Sequence, residues 1–336
     1  MNGSTGAMVR RLAIIVLAGA AYAGPSFGQG SSAKGDAYPT KPVRLIIPWP
    51  AGGGTDIVAR IIIQKMSENV GQTFVIDNRA GASGIIGTEL AARSLPDGYT
   101  LLMGNTATNA TNASVYKKLP YDPIRDFSAV SLAASSPYIL SVHPSVPAKS
   151  VKEFVALARA KPGQLNYGSG GSGSAPHLAA ALLSYMAGIN VVHVAYKGGA
   201  AHTPALVAGE VQMTLTNPLE VMPHIKAGKL RALGVTSTSR WPAAPELPTI
   251  SEAGVPGYEF TIWWGVLAPA GTPTRVVDRL YGEVAKAVHA REVKDKLNAQ
   301  GVDVVGNKPE EFAAVIRAEV DKWKKVAKEA GIQLDY

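Results

Sequence analysis

The sequence predicts two α/β lobes joined by two extended segments that cross between them. Three observations carry this. Short β-rich runs alternate with amphipathic stretches, a glycine-rich turn recurs at a matching point of two such series, and two long extended segments stand outside them. A length of 336 residues is too much for one small core and fits two lobes of ordinary size. With 46% hydrophobic residues the chain can bury a sizeable core, which argues against disorder.

The first series opens with a strand at Val43–Ile47, a loop Pro48–Gly54 and a helix over Thr55–Asn69. In that helix Ile57, Val58, Ile61, Ile62 and Met66 recur near helical period. A strand Phe74–Asp77, a glycine-rich loop, a helix Gly84–Ser94 and a strand Thr100–Met103 complete a βαβαβ unit, expected on a parallel sheet. The extended segment Ala129–His143 then carries the chain onward. The second series runs through a helix Val151–Ala160, a strand Leu165–Gly168, another glycine-rich loop and a helix Pro176–Ala187. Strands Val191–Val194, Val211–Leu215 and Leu230–Val235 follow, with helices between. A second extended segment, Glu259–Ala268, leads to helices Pro273–Ala290 and Glu310–Ala330, which have no strands of their own and pack most economically on the first lobe. Lobe one is thus expected over 38–137 plus 263–336 and lobe two over 138–262, with a hinged cleft between them.

Arg10 and Arg11, the apolar stretch Leu12–Gly24 and the small-residue patterns Ala21-Tyr22-Ala23 and Ser26-Phe27-Gly28 read in that order as a cleaved signal peptide over 1–28. A flexible leader over 29–40 follows, and the expected compartment is the periplasm. The alternative reading of the apolar stretch is a buried N-terminal helix. Cysteine is absent, which excludes a disulfide scaffold and thiolate zinc sites. The net charge of +8 favours anions, but the basic residues are scattered without a stripe or interleaved aromatics, which argues against nucleic acid.

Two places share one design of strand, glycine-rich turn, small hydroxyl residue and helix. One is Pro48-Trp49-Pro50-Ala51-Gly52-Gly53-Gly54-Thr55-Asp56; the other is Gly168-Ser169-Gly170-Gly171-Ser172-Gly173-Ser174-Ala175-Pro176-His177. Glycines leave backbone N–H groups unshielded, and a helix N-terminus adds orphan donors and partial positive charge, so each turn is a candidate anion site. Gly173 is expected to lie where the second lobe's N–H groups meet a ligand. Plain turn geometry is the alternative for either loop. Asp56 reads as a first-turn acid completing its helix rather than a general base. Arg79–Gly84 and the loop carrying Asn105 and Thr106 follow strands, where open α/β sheets bind ligands. Arg79 is equally readable as an ion pair within its lobe, and Asn105 and Thr106 as helix caps. Tyr196 and Lys197 end a strand and could reach the cleft. Trp49, Trp263 and Trp264 could wall it or fill the core.

Gly168–Gly173 also spells G-x-G-x-x-G, but the acidic residue expected after the next strand is missing at Val191-Val192-His193-Val194, so no nicotinamide cofactor is expected. Hydrolase, P-loop and zinc-protease motifs are absent, and the six histidines are dispersed, so neither a metal nor catalytic residues are assigned. His177 reads as a capping or packing residue before it reads as a base.

Tyr38-Pro39-Thr40-Lys41-Pro42, Pro48–Asp56, Pro96-Asp97-Gly98-Tyr99-Thr100-Leu101, Leu165-Asn166-Tyr167-Gly168-Ser169, His177-Leu178 and Pro223–Leu233 stand in the order of one known family. At these residues the chain resembles the Bug family, the extracytoplasmic receptors of tripartite tricarboxylate transporters. The resemblance implies a type II periplasmic-binding-protein fold, capture of a small carboxylate and delivery to membrane subunits. It also implies that Ala51, Gly52, Gly53 and Asp56 hold a ligand carboxylate and that Ser169–Ser174 grips the ligand from the other lobe. Where many members carry Asp, this chain has Thr216 followed by Asn217, which leans away from amino acids and toward dicarboxylates or aromatic acids.

The leading expectation is a monomeric binding protein without turnover. Two others stand beside it: a secreted hydrolase or transferase using His177 with a loop serine, and a ligand-loaded adaptor for a sensor kinase.

Overall fold

The strands Val43–Ile47 and Thr100–Asn105 are buried at nearly every position, as strands covered by other elements are, and the helices Val151–Ala160 and Thr274–His289 bury an apolar stripe. The computed structural model describes residues 38–329 and 332–333; the expected signal peptide and most of the leader lie outside them. In chain order, β1 (Val43–Ile47), α1 (Gly54–Val70), β2 (Phe74–Asn78), α2 (Ile85–Ala92) and β3 (Thr100–Asn105) form the first unit. A π-helical turn (Ala107–Thr111) and α3 (Asn112–Val115) lead to β4 (Phe127–Pro137). There follow β5 (Ile139–Val142), α4 (Val151–Ala160), β6 (Asn166–Ser169), α5 (Ala175–Ala187), β7 (Val192–Ala195), α6 (Gly199–Val207), β8 (Met213–Thr216), α7 (Pro218–Lys226) and β9 (Arg231–Val235). The chain closes with β10 (Thr261–Pro269), α8 (Thr274–His289), α9 (Arg291–Asn298), β11 (Asp303–Val304) and α10 (Pro309–Glu329).

Two sheets result, ordered β11-β4-β10-β3-β1-β2 and β7-β6-β8-β5-β9. This is the two-lobe α/β architecture expected of a binding protein. The three strands of the βαβαβ unit pair in parallel as expected, but they make up only part of their sheet. The first sheet is mixed, because β10 lies antiparallel between β3 and β4 while only β2, β1 and β3 are parallel. β10 arrives from the second sheet rather than through a βαβ crossover, so nothing forces it to be parallel. The extended run Ala129–His143 is also two strands, since β4 belongs to the first sheet and β5 to the second. The two-residue β11, on the edge of β4, is too short to leave a periodic signal.

The chain passes between the sheets at Tyr138 and again between Thr236 and Phe260. The Tyr138 N–H donates to Thr236 Oγ1 at 2.6 Å, the Thr236 N–H donates to Tyr138 O at 3.0 Å, and the Thr236 hydroxyl donates to Phe260 O at 2.6 Å. One buried threonine therefore ties both passages together. As expected, α8 and α10 cover β4 of the first sheet. Trp263 packs edge-on to Phe312 at 5.3 Å and belongs to the core rather than the cleft. Among the described residues no helix is long and apolar enough to cross a membrane.

Candidate functional site

Four helices begin at one cavity between the sheets. Gly53, Gly54 and Thr55 come from the start of α1, Ser174, Ala175 and Pro176 from α5, Gly198 from α6, and Thr216, Asn217 and Glu220 from α7. Trp49, Pro50, Asn105, Tyr138, His202 and Trp264 complete most of the remaining wall. The cavity volume is about 50 Å³. Trp49, Pro50, Gly170 and Gly198 separate it from a wider outer recess of about 720 Å³, which Ser83, Tyr116, Tyr196 and Lys197 also line. Each helix start leaves N–H groups without intrahelical partners and a partial positive charge, so four of them aimed at one small space favour an anion there.

Side chains add donors. Thr55 Oγ1 accepts from Asn105 Nδ2 at 3.2 Å and from Trp264 Nε1 at 3.1 Å, which leaves its own proton as the group offered to the cavity. The buried Ser174 Oγ and Trp49 Nε1 have no hydrogen-bond partner among the described residues. One acid enters the same space. Glu220 Oε1 accepts from the Gly54 N–H at 3.1 Å and Oε2 accepts from the Thr216 hydroxyl at 2.7 Å. His202 Nε2 lies 3.7 Å from the same Oε2, and burial holds the imidazole below its ordinary pKa although Glu220 pulls the other way. The site therefore contains a carboxylate despite Thr216.

The structure brings together Trp49, Gly53, Asn105, Ser174, Thr216 and Asn217 of the sequence-chosen residues, and it puts Tyr196 in the outer recess. Others fall outside the cavity, and each has a physical reason. Ala51 and Gly52 are exposed at the loop tip. Asp56 turns back to accept from the Gly52 N–H, Arg60 and Asn78. Burial opposes its ionisation, but the Arg60 guanidinium and those two donors hold its carboxyl below the usual range. Thr106 bridges to the second passage, accepting from the Trp263 N–H and donating to Thr261 O. Arg79 pairs with Asp77 within its lobe. Gly173 is corrected most sharply. Its N–H donates to His177 Nδ1 at 3.0 Å rather than facing the cavity, its φ is +81°, and a Cβ there would lie 2.7 Å from the Tyr116 hydroxyl.

Ser169 and His177 belong to one buried stack. The rings of His177 and His193 are 4.1 Å apart, Tyr167 stacks on both, and His193 Nε2 is 2.6 Å from Ser169 Oγ. Burial, with His193 beside it, pushes His177 down to about 3; burial pushes His193 down to about 4. The serine–histidine pair thus involves His193 rather than His177, and Ser169 is fully buried away from the cavity, fastening the glycine loop. The sequence reading missed Tyr138, His202 and Glu220 as wall residues, whereas Trp264 was named as a possible wall and Thr55 stood in the first glycine turn. Only Glu220 carried a signal, as an acid three positions after Asn217, which reads as a helix cap.

Residues 58–332 match the family described as tripartite tricarboxylate transporter family receptor. The chain belongs to that family. The receptor is 42% identical over 292 residues to a UPF0065 protein from a tcbD-tcbE intergenic region of Pseudomonas sp., covering 87% of each chain. It is 33% identical over 330 residues to Protein BugT of Bordetella pertussis, covering 97% of this chain and 99% of the relative. Among solved structures, it superposes on R. palustris Rpa4515 with adipate at a TM-score of 0.86 and 41% identity, covering 89% of this chain and 100% of that one. MatC of Rhodopseudomonas palustris with bound malate gives 0.83 at 30% identity, covering 86% and 99%. The resemblance read from the sequence blocks is thereby confirmed.

Proposed function

We propose that this receptor is an extracytoplasmic solute-binding protein that closes its two lobes on a small carboxylate and delivers it, unchanged, to the membrane subunits of a tripartite tricarboxylate transporter. The observation that carries the reading is the convergence of four helix N-termini on one small cavity between two lobes whose two chain passages are bonded to one threonine. Similar structures hold adipate and malate, which supports a carboxylate as the ligand class. Trp49, Gly53, Asn105, Ser174 and Thr55 are the residues assigned to ligand contact, with Lys197 at the entrance. The periplasm is the assigned compartment, after removal of residues 1–28, and the receptor works as a monomer.

Isothermal calorimetry across a panel of C3–C8 mono- and dicarboxylates, followed by chromatography of the recovered ligand, tests this reading. At least one acid is expected to bind with one-to-one stoichiometry and return intact. Conversion of the bound acid, or a panel without a single binder, would overturn it.

A further inference from the structure

The carboxylate of Glu220 occupies the place where the first glycine loop was expected to hold a ligand. Its Oε1 takes the Gly54 N–H at the start of α1, and its Oε2 takes the Thr216 hydroxyl. The side chain is 9% exposed and lines the inner cavity. Two further polar side chains stand beside it, one on α6 and one at the start of α7. Asn217 Oδ1 is buried without a hydrogen-bond partner among the described residues. His202 Nδ1 is 3.3 Å from Gly198 O, and its buried Nε2 lies 3.7 Å from Glu220 Oε2 without a hydrogen-bond partner among the described residues. The far wall supplies donors: the Ser174 and Thr55 hydroxyls, the Trp49 indole N–H and the first turn of α5. Among the described residues, no lysine or arginine lines this cavity. Two ionised ligand carboxylates would therefore join a third, fixed one, against helix-terminus partial charges alone. A ligand with one carboxylate and one donor group would satisfy both kinds of wall.

We propose that Glu220 is a specificity-determining residue: the cavity takes a small monocarboxylate whose far end carries a hydrogen-bond-donating group, an ammonium above all, and disfavours ligands with two ionised carboxylates. This rests on the carboxylate reading above and narrows it. It also reverses the lean away from amines drawn from Thr216, because the acid enters from one helical turn further along.

The test uses matched pairs at neutral pH, 6-aminohexanoate against adipate and 4-aminobutyrate against succinate, by calorimetry on the whole receptor and on Glu220→Gln. Wild type is expected to bind the amino acid of at least one pair about tenfold or more tightly than its diacid, a difference of about 1.4 kcal/mol. In Glu220→Gln that ratio should fall by about tenfold or invert. The wild-type ratio stands on its own, so the proposal is decided even if the variant folds poorly. Tighter diacid binding by wild type, or a ratio that Glu220→Gln leaves unchanged, would overturn the role of Glu220 while leaving the carboxylate reading standing. If neither protein binds any of the four probes and the wider panel also fails, the carboxylate reading falls and this proposal with it.

Discussion

Trp264, on the second strand that passes between the lobes, donates its indole N–H to Thr55 Oγ1 in the first turn of α1 at 3.1 Å. Asn105, at the end of β3, donates to the same oxygen. One hydroxyl thereby fixes a helix start, a strand end and a tryptophan face around the cavity. Replacing Thr55 by Val keeps the shape and removes the acceptor, leaving two buried donors unsatisfied at a cost of about 1–3 kcal/mol each. Urea unfolding should show a midpoint lowered accordingly with an unchanged slope, whereas Thr55→Ser should unfold near wild type. Thr55→Val should also weaken ligand binding, since the cavity loses a hydroxyl proton.

Gly54 separates stability from closure. It begins α1, where alanine is favoured over glycine by up to about 1 kcal/mol. A Cβ there, however, would lie 2.6 Å from Asn217 Nδ2 on the facing helix start. Gly54→Ala should therefore melt at or slightly above the wild-type temperature yet bind ligand more weakly. Small-angle scattering with ligand present should show a larger radius of gyration than wild type.

Gly173 should behave oppositely. At φ +81° any side chain is strained, by about 1–2 kcal/mol for alanine, and the added Cβ also meets Tyr116. Gly173→Ala and Gly173→Asp should both lower the melting temperature. Asp is the better tolerated of the two, because its side chain accepts left-handed backbone more readily. If charge at an anion site governed this position, Gly173→Ala would bind and melt like wild type.

The stacked histidines set an acid limit. His177 and His193 stay neutral in the folded protein down to about 3 and about 4, whereas an unfolded histidine takes a proton near 6.5. Below about pH 6.5 the unfolded chain binds protons that the folded chain does not, so stability should be full above that pH and fall progressively toward pH 4. Thermal melts between pH 7.5 and 4.5 check this. His193→Gln, which keeps a polar partner for Ser169, should show a shallower decline over the same interval.

Lys197 is exposed at the outer recess and touches neither end of the inner cavity. It should act on encounter rather than on the bound state. Stopped-flow measurements on Lys197→Glu should give an association rate lower by about threefold to tenfold in dilute buffer, with little change in dissociation. Raising ionic strength should shrink the difference as the Debye length falls.

The alternation of strand and helix, the two glycine turns and the two passages between lobes were legible in the chain because each rests on local signals. β-branched runs, helical period and glycine punctuation act over a few residues, and the family blocks in order fixed the fold class. Trp49, Gly53, Asn105 and Ser174 could be named because they stand where strands end and helices begin. What closes the cavity was decided elsewhere. Asn217 followed three residues later by Glu220 reads locally as a helix cap, yet Asn217 makes no capping bond and Glu220 reaches the first turn of a helix 166 residues away. The same holds for Gly173, whose N–H is taken by His177 once α5 has formed. A helix start exposes donors by its own geometry, and sequence can locate it. Which acceptor those donors meet depends on what the other lobe brings against them, and only the tertiary fold decides that.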